Sequence, residues 1–257
     1  MSVAFAILLY VAATIFIVGL TLRVLKYWRT PAPLKIPTMP APTTQAGVVA
    51  RMGREVVLFE SLFKSNKWIW VFGWMFHFSL VLAFFRHLRY AISPDNILWP
   101  VISMEIIQSF GKYAGYFMLI GLLGLLARRI IVDRVRYISS PSDYLMLLLI
   151  ISIAATGLSM TFIEHTDIVQ LKMFVLGLFR FDIQELPSSL LLQLHLAAVA
   201  LLMIVFPISK LLHAPGIFFS PTRNQVDNAR EKRHIVPWAA KLDANRGHKT
   251  KDQLVKD

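Results

Sequence analysis

Long apolar runs broken by short polar intervals dominate this chain. Five are long enough to cross a hydrocarbon core of roughly 30 Å, which takes about 20 apolar residues in a helix. They are Ser2 to Leu25, Trp68 to Tyr90, Lys112 to Ala127, Tyr144 to Ile163 and Leu190 to Leu212. The third is short as bounded and is expected to extend through Gly111 and Ile131. Hydrocarbon offers the backbone no hydrogen-bond partners, so apolar runs of this length are expected as helices. The pattern predicts an all-α integral membrane protein, a bundle of five transmembrane helices.

Between the first two runs the pattern changes twice. Pro31 to Pro42 is rich in proline, cannot be helical throughout, and reads as a connector. From Gln45 to Lys67 apolar positions (Val48, Val49, Met52, Val56, Val57, Leu58, Phe59, Leu62, Phe63) interleave with Arg51, Arg54, Glu55, Glu60 and Lys64. That is the pattern of an interfacial helix on membrane lipid, and equally of a helix face that docks a partner subunit. The Ser93 to Phe110 interval, with Pro94, Trp99 and Pro100, leaves room for a short interfacial turn. Trp68, Trp70 and Trp74 crowd one end of the second run, as an aromatic belt does. After His213, Ala-Pro-Gly stops the last helix and a basic tail runs to Asp257. Two parts are expected: residues 1–213, the five-helix domain, and 214–257, the tail.

The chain has 257 residues, 56% of them apolar and 16% charged, with a formal charge of +12. In a soluble protein that charge would suggest nucleic acid. Here the positions decide otherwise. Of 27 Lys and Arg, 22 lie in the intervals 23–67, 128–136 and 210–257, and only Arg86, Arg89, Lys112, Lys172 and Arg180 lie on the opposite side. The positive-inside rule then puts the N-terminus outside and the C-terminus in the cytoplasm. The basic residues set topology, and nucleic acid is not an expected partner. The first run has no basic residue ahead of it and no convincing cleavage site, so it is expected to be retained as a helix. There is no cysteine, so thiolate-held iron–sulfur clusters, covalent c-type haem and disulfide chemistry must belong to other subunits.

Four histidines carry the candidate chemistry. His77 and His87 stand ten residues apart in the second run, and His195 and His213 eighteen apart in and just beyond the fifth. His165, His234 and His248 fall in polar sequence. An imidazole in hydrocarbon is costly without a partner, which makes it a functional-site hypothesis. Two antiparallel helices with two histidines each suit two bis-histidine haems b, each taking one axial imidazole from either helix. Depth fixes the pairing: His77 with His213 at the cytoplasmic side, His87 with His195 at the outer side. At helical rise, ten residues span about 15 Å and eighteen about 27 Å, so His213 must be brought back by a break near Pro207 and Pro215. The competing readings are interhelical hydrogen bonds, a histidine-dependent proton or ion transporter, or an anchor without cofactor. A transporter would want acidic residues within the spans, and none lies in 68–90 or 190–212. Lys112 is a candidate to hydrogen-bond a quinone oxygen, set against the plainer role of a snorkelling lysine. Arg86, Arg89, Arg128 and Arg129 are candidates to pair haem propionates, against topology roles.

These spacings resemble the nitrate reductase gamma subunits, five-helix dihaem cytochromes b whose second and fifth helices carry ligand pairs ten and eighteen apart. The resemblance covers most of Ser2 to His213. The run from His213 to Asp227, HAPGIFFSPTRNQVD, resembles the DsrM family, gamma-like subunits of the Dsr membrane complexes of sulfur metabolism. That resemblance implies an electron-transfer subunit of a quinone-linked oxidoreductase, not its substrate-reducing subunit. It implies exchange with quinone or menaquinone. It also implies a cytoplasmic iron–sulfur partner resembling DsrK, similar to the catalytic subunit of heterodisulfide reductase, alongside other Dsr membrane subunits. Membership in another respiratory reductase is the alternative.

Overall fold

A computed structural model describes residues 1–31, 37–228 and 239–242. His234, His248, most of the basic tail and part of the proline-rich connector lie outside the described residues. Among the described residues all regular structure is helical, and five helices are long and apolar enough to cross a membrane. These are α1 (Ser2–Arg29), α4 (Lys67–Ala91), α6 (Glu105–Ile131), α8 (Pro141–Phe162) and α10 (Leu190–Val205), the last continued by a 3-10 turn at Phe206–Ile208. Between them lie α2 (Gln45–Leu58), α3 (Glu60–Ser65), α5 (Trp99–Ile102), α7 (Asp133–Ile138) and α9 (Ile168–Arg180). The contacts divide the chain into two units, one of residues 1–23 and 58–213, the other of 24–57 and 214–257.

In the first unit the helices start where local chemistry satisfies their free N–H groups. The Asn66 side chain accepts from Ile69 N at 3.1 Å and opens α4. Asp167 accepts from Val169 and Gln170 at 2.9 Å and opens α9. Pro207, with no N–H to give, ends the regular part of α10 at Val205. The fifth span is therefore shorter as a regular helix than the apolar run to Leu212 suggests. Ser209 is fully extended (ψ 173°), and a 3-10 turn at Lys210–Leu212 and a four-residue helix from His213 follow.

The expected amphipathic helix over 45–67 is broken at Phe59, whose left-handed backbone (φ 52°) separates α2 from α3. The third span begins at Glu105, seven residues ahead of Lys112. The Ser93 to Phe110 interval holds the single turn α5.

Within lipid there is no hydrophobic drive between helices, so close backbone approach and dense contact hold the bundle. Glycines of α6 supply that approach. A Cβ at Gly121 would stand 2.9 Å from Phe72 O and 3.0 Å from Phe76 N, and one at Gly124 would overlap the Phe72 ring. A Cβ at Gly111 would stand 2.9 Å from Arg86 Cβ. Helices α4 and α6 are thus locked along most of their length. One core cluster joins Phe76 of α4, Met118 and Leu122 of α6, and Ile150 and Ala154 of α8, with Leu202 and Leu211 packed against it. A second joins Ala6 of α1, Phe174 of α9, Leu186 in the loop before α10, and Leu192 of α10.

In the second unit the chain from Thr222 to Asp227 runs alongside the segment 38–55. Thr38 N donates to Thr222 O and Asp227 N to Pro42 O, both at 2.8 Å, and Arg223 pairs with Glu55 at 2.7 Å. Val48, Arg51 and Val226 are buried there.

Candidate cofactor site

The first unit brings the four sequence-selected histidines together two by two. His77 of α4 and His213 have ring centroids 6.0 Å apart with planes at 84°. His87 of α4 and His195 of α10 are 6.4 Å apart with planes at 9°. His165 is exposed in the α8–α9 loop and joins neither pair.

Every one of the four rings has its Nδ1 engaged. His77 Nδ1 lies 2.7 Å from Gly73 O and His87 Nδ1 2.6 Å from Ala83 O, each one helical turn back. His213 Nδ1 lies 2.9 Å from Lys210 O. His195 Nδ1 lies 2.9 Å from the Thr156 hydroxyl of α8. That hydroxyl donates to Ser152 O at 2.7 Å, which leaves its oxygen to accept the imidazole N–H. Carbonyl and hydroxyl acceptors on Nδ1 hold the proton there and leave Nε2 as the free lone pair. This is the arrangement by which a second shell orients a metal-ligating histidine. No hydrogen bond joins the two rings of either pair, and the interhelical hydrogen bond among the four is that of His195 to Thr156 of α8.

The spacing tests which group fits. Two imidazoles bound through Nε2 to one metal, with bonds of about 2.0 Å, have ring centroids about 6.3 Å apart; the observed 6.0 and 6.4 Å match. A bare ion would need more donors than two. Among the described residues no group of three or more His, Cys, Asp or Glu is placed to hold a metal. The donor set fits a metal that arrives with its remaining ligands attached, as haem iron does. His213 is also exposed in the chain alone, and an imidazole turned to lipid is costly without a group to cover it.

Aromatic rings wall the first pair: Phe76 and Phe59 stand edge-on to His77 at 4.7 and 5.0 Å. The left-handed turn at Phe59 that ends α2 thus also delivers a ring to the site. Cations gather beside the second pair. Arg86 donates to Gln108 O, Arg89 to Gln108 Oε1 at 3.1 Å, and Gln108 Nε2 to Ile102 O at 2.7 Å. Lys172 of α9 lies 4.2 Å from the Trp99 ring centroid. Burial lowers its pKa, and the charge of Arg89 lowers it further. No described carboxylate forms an ion pair with these three cations.

Lys112, one residue from the Gly111 contact with Arg86, lies over the Phe162 and Tyr113 rings at 5.5 and 5.9 Å. Arg129 is committed elsewhere, to Ser139 at 2.9 Å and toward Asp143 at 3.7 Å.

Thr156, Gln108 and Lys172 were not singled out by the sequence reading. A hydroxyl in the apolar run of α8 is the one signal that pointed to Thr156. Gln108 and Lys172 gave none, because their partners are distant in sequence.

The sequence profile described as nitrate reductase gamma subunit matches residues 47–229, a span that contains all four histidines. Two curated relatives, from Archaeoglobus fulgidus and Archaeoglobus profundus, are both described as an Hdr-like menaquinol oxidoreductase cytochrome b-like subunit. Each is 31% identical over 89% of this chain; the alignments cover 81% and 80% of the relatives' own lengths.

Proposed function

The chain belongs to the nitrate reductase gamma subunit family, and from that premise we propose that it is a dihaem b electron-transfer subunit of a quinone-linked membrane complex. One observation carries the reading: two imidazole pairs, each at the centroid spacing a shared iron requires, with all four Nδ1 atoms engaged.

His77 and His213 hold the cytoplasmic haem and His87 and His195 the outer one. Haem supplies the one-electron carriers; the protein supplies position and surroundings. Gly73, Ala83, Lys210 and Thr156 fix which nitrogen faces the metal. Phe59 and Phe76 exclude water beside His77. Arg86 and Arg89, one residue before and two after His87, pair the carboxylates of the outer haem's propionates. In this reading Lys112, one residue from the Gly111 contact with Arg86, donates to a quinone oxygen.

The relatives' description favours menaquinol and an Hdr-like assembly. The cytoplasmic partner is then an iron–sulfur protein of the DsrK kind, with the chain acting as the DsrM-type subunit in sulfur metabolism. In that arrangement the N-terminus lies outside a bacterial or archaeal cytoplasmic membrane. Residues 1–213 bind the cofactors, and 214–257 form a basic tail at the cytoplasmic face.

The test is a reduced-minus-oxidised visible spectrum of the purified chain with pyridine-haem quantitation. Two b haems per chain are expected, with one lost in His77→Ala and the other in His87→Ala. A chain without haem overturns the proposal and returns the transporter and anchor readings.

A further inference from the structure

Eighteen residues of regular helix would carry His213 too deep to meet His77, and the break at Pro207 to Ser209 solves that problem only by cutting His213 loose from α10. Something else must then fix it. The residue after the break is Lys210, and it is held at two points. Its ammonium reaches the Asp143 carboxylate of α8 at 2.7 Å. Its carbonyl accepts both the backbone N–H and the Nδ1–H of His213, the latter at 2.9 Å.

Asp143 is itself an anchored group. Its side chain is buried, it takes the N–H and hydroxyl of Ser140 at 3.0 and 3.1 Å, and Arg129 of α6 stands 3.7 Å away. A buried carboxylate with these partners does not wander, because leaving them would strand a charge. The Ser209 side chain, by contrast, bonds only within its own turn, donating to Phe206 O and accepting from Leu211 N. Leu211 packs on the core, but packing alone does not set a ring plane.

We infer that Asp143 and Lys210 form a positioning clamp for His213: an ion pair from α8 holds the Lys210 backbone, and the Lys210 carbonyl orients the imidazole. Lys210 is mostly exposed along its stem. The clamp therefore works through the geometry it imposes on a buried anchor, and its contribution to stability is small. It acts on one histidine pair. Nothing equivalent is needed at His195, which sits inside regular α10.

This inference rests on the dihaem reading, and the experiment separates the two. The potentials and low-spin EPR signals of both haems are recorded in the intact complex or the full chain in membranes. His77→Ala identifies which signal belongs to the His77/His213 site. Lys210→Met and Asp143→Asn are expected to shift the potential and g values of that haem while the other stays in place. Lys210→Arg, which keeps the cation, is expected to restore them. If Asp143→Asn prevents assembly, Lys210→Met decides, since its side chain is at the surface. Unchanged signals in Lys210→Met, or equal shifts in both haems, overturn the clamp and leave the dihaem reading standing. No haem in the unsubstituted chain overturns both.

Discussion

The two histidine pairs share one helix, α4, yet they are built in different ways. His87 and His195 both lie within regular helix, with nearly parallel rings 9° apart. His77 faces a histidine beyond a helix break, with rings at 84°. The His87/His195 pair is set by helix packing and one hydroxyl from a third helix. The His77/His213 pair is set by a backbone irregularity whose geometry must be imposed by side chains. Regular helices place a ligand by register alone, whereas an interrupted one gains freedom of depth at the cost of needing a tether.

The sharpest way to break this comparison is to remove one ligand at a time. His195→Ala is expected to halve the haem content while the His77/His213 haem keeps its spectrum; loss of both haems would mean the pairs are not independent sites. Thr156→Val comes next. It removes the acceptor from His195 Nδ1, and loss of such a second-shell partner costs about 10–100-fold in metal affinity. The expected result is partial haem loss confined to the His87/His195 site, rescued by Thr156→Ser, in haem titrations of the purified chain.

Gly121→Val tests what the pairs share. It would drive α4 and α6 apart where Phe72 O and Phe76 N lie 2.9 and 3.0 Å from an added Cβ. Overpacking of this kind costs roughly 1–3 kcal/mol. Thermal unfolding in detergent should fall, with both haems lost together; a selective effect would show that α4 is not the common frame. The smallest effect is spectroscopic. Perpendicular imidazole planes keep two iron d orbitals close in energy, and parallel planes split them. One strongly anisotropic low-spin EPR signal and one rhombic signal are expected, and two rhombic signals would contradict the ring geometry.

The bundle was legible because length and hydropathy are one-dimensional properties: five apolar runs became five helices that differ mainly at their ends. The histidine pairs were legible because antiparallel helices convert sequence order into depth. Less could be read where structure depends on contacts. Helix α9 gave no signal of its own, since thirteen mostly apolar residues capped by Asp167 are too short to register as a span. Asp143 stands one residue ahead of the fourth apolar run, and only the return of the chain after Pro207 gives it Lys210 as a partner. The break at Phe59 had no glycine or proline to announce it.

Pro207 has a further consequence. The same kink that frees His213 is gripped from the opposite end of the chain: Gly19 of α1 leaves only 2.7 Å between an added Cβ and Pro207 Cβ, and Arg23 Nε donates to Pro207 O at 3.1 Å. The first and last of the five span-capable helices, α1 and α10, are thus latched together. Both histidine pairs also wait for α10, which follows every other span in the chain. On the dihaem reading, loading of either pair would therefore follow the docking of α10 against α1.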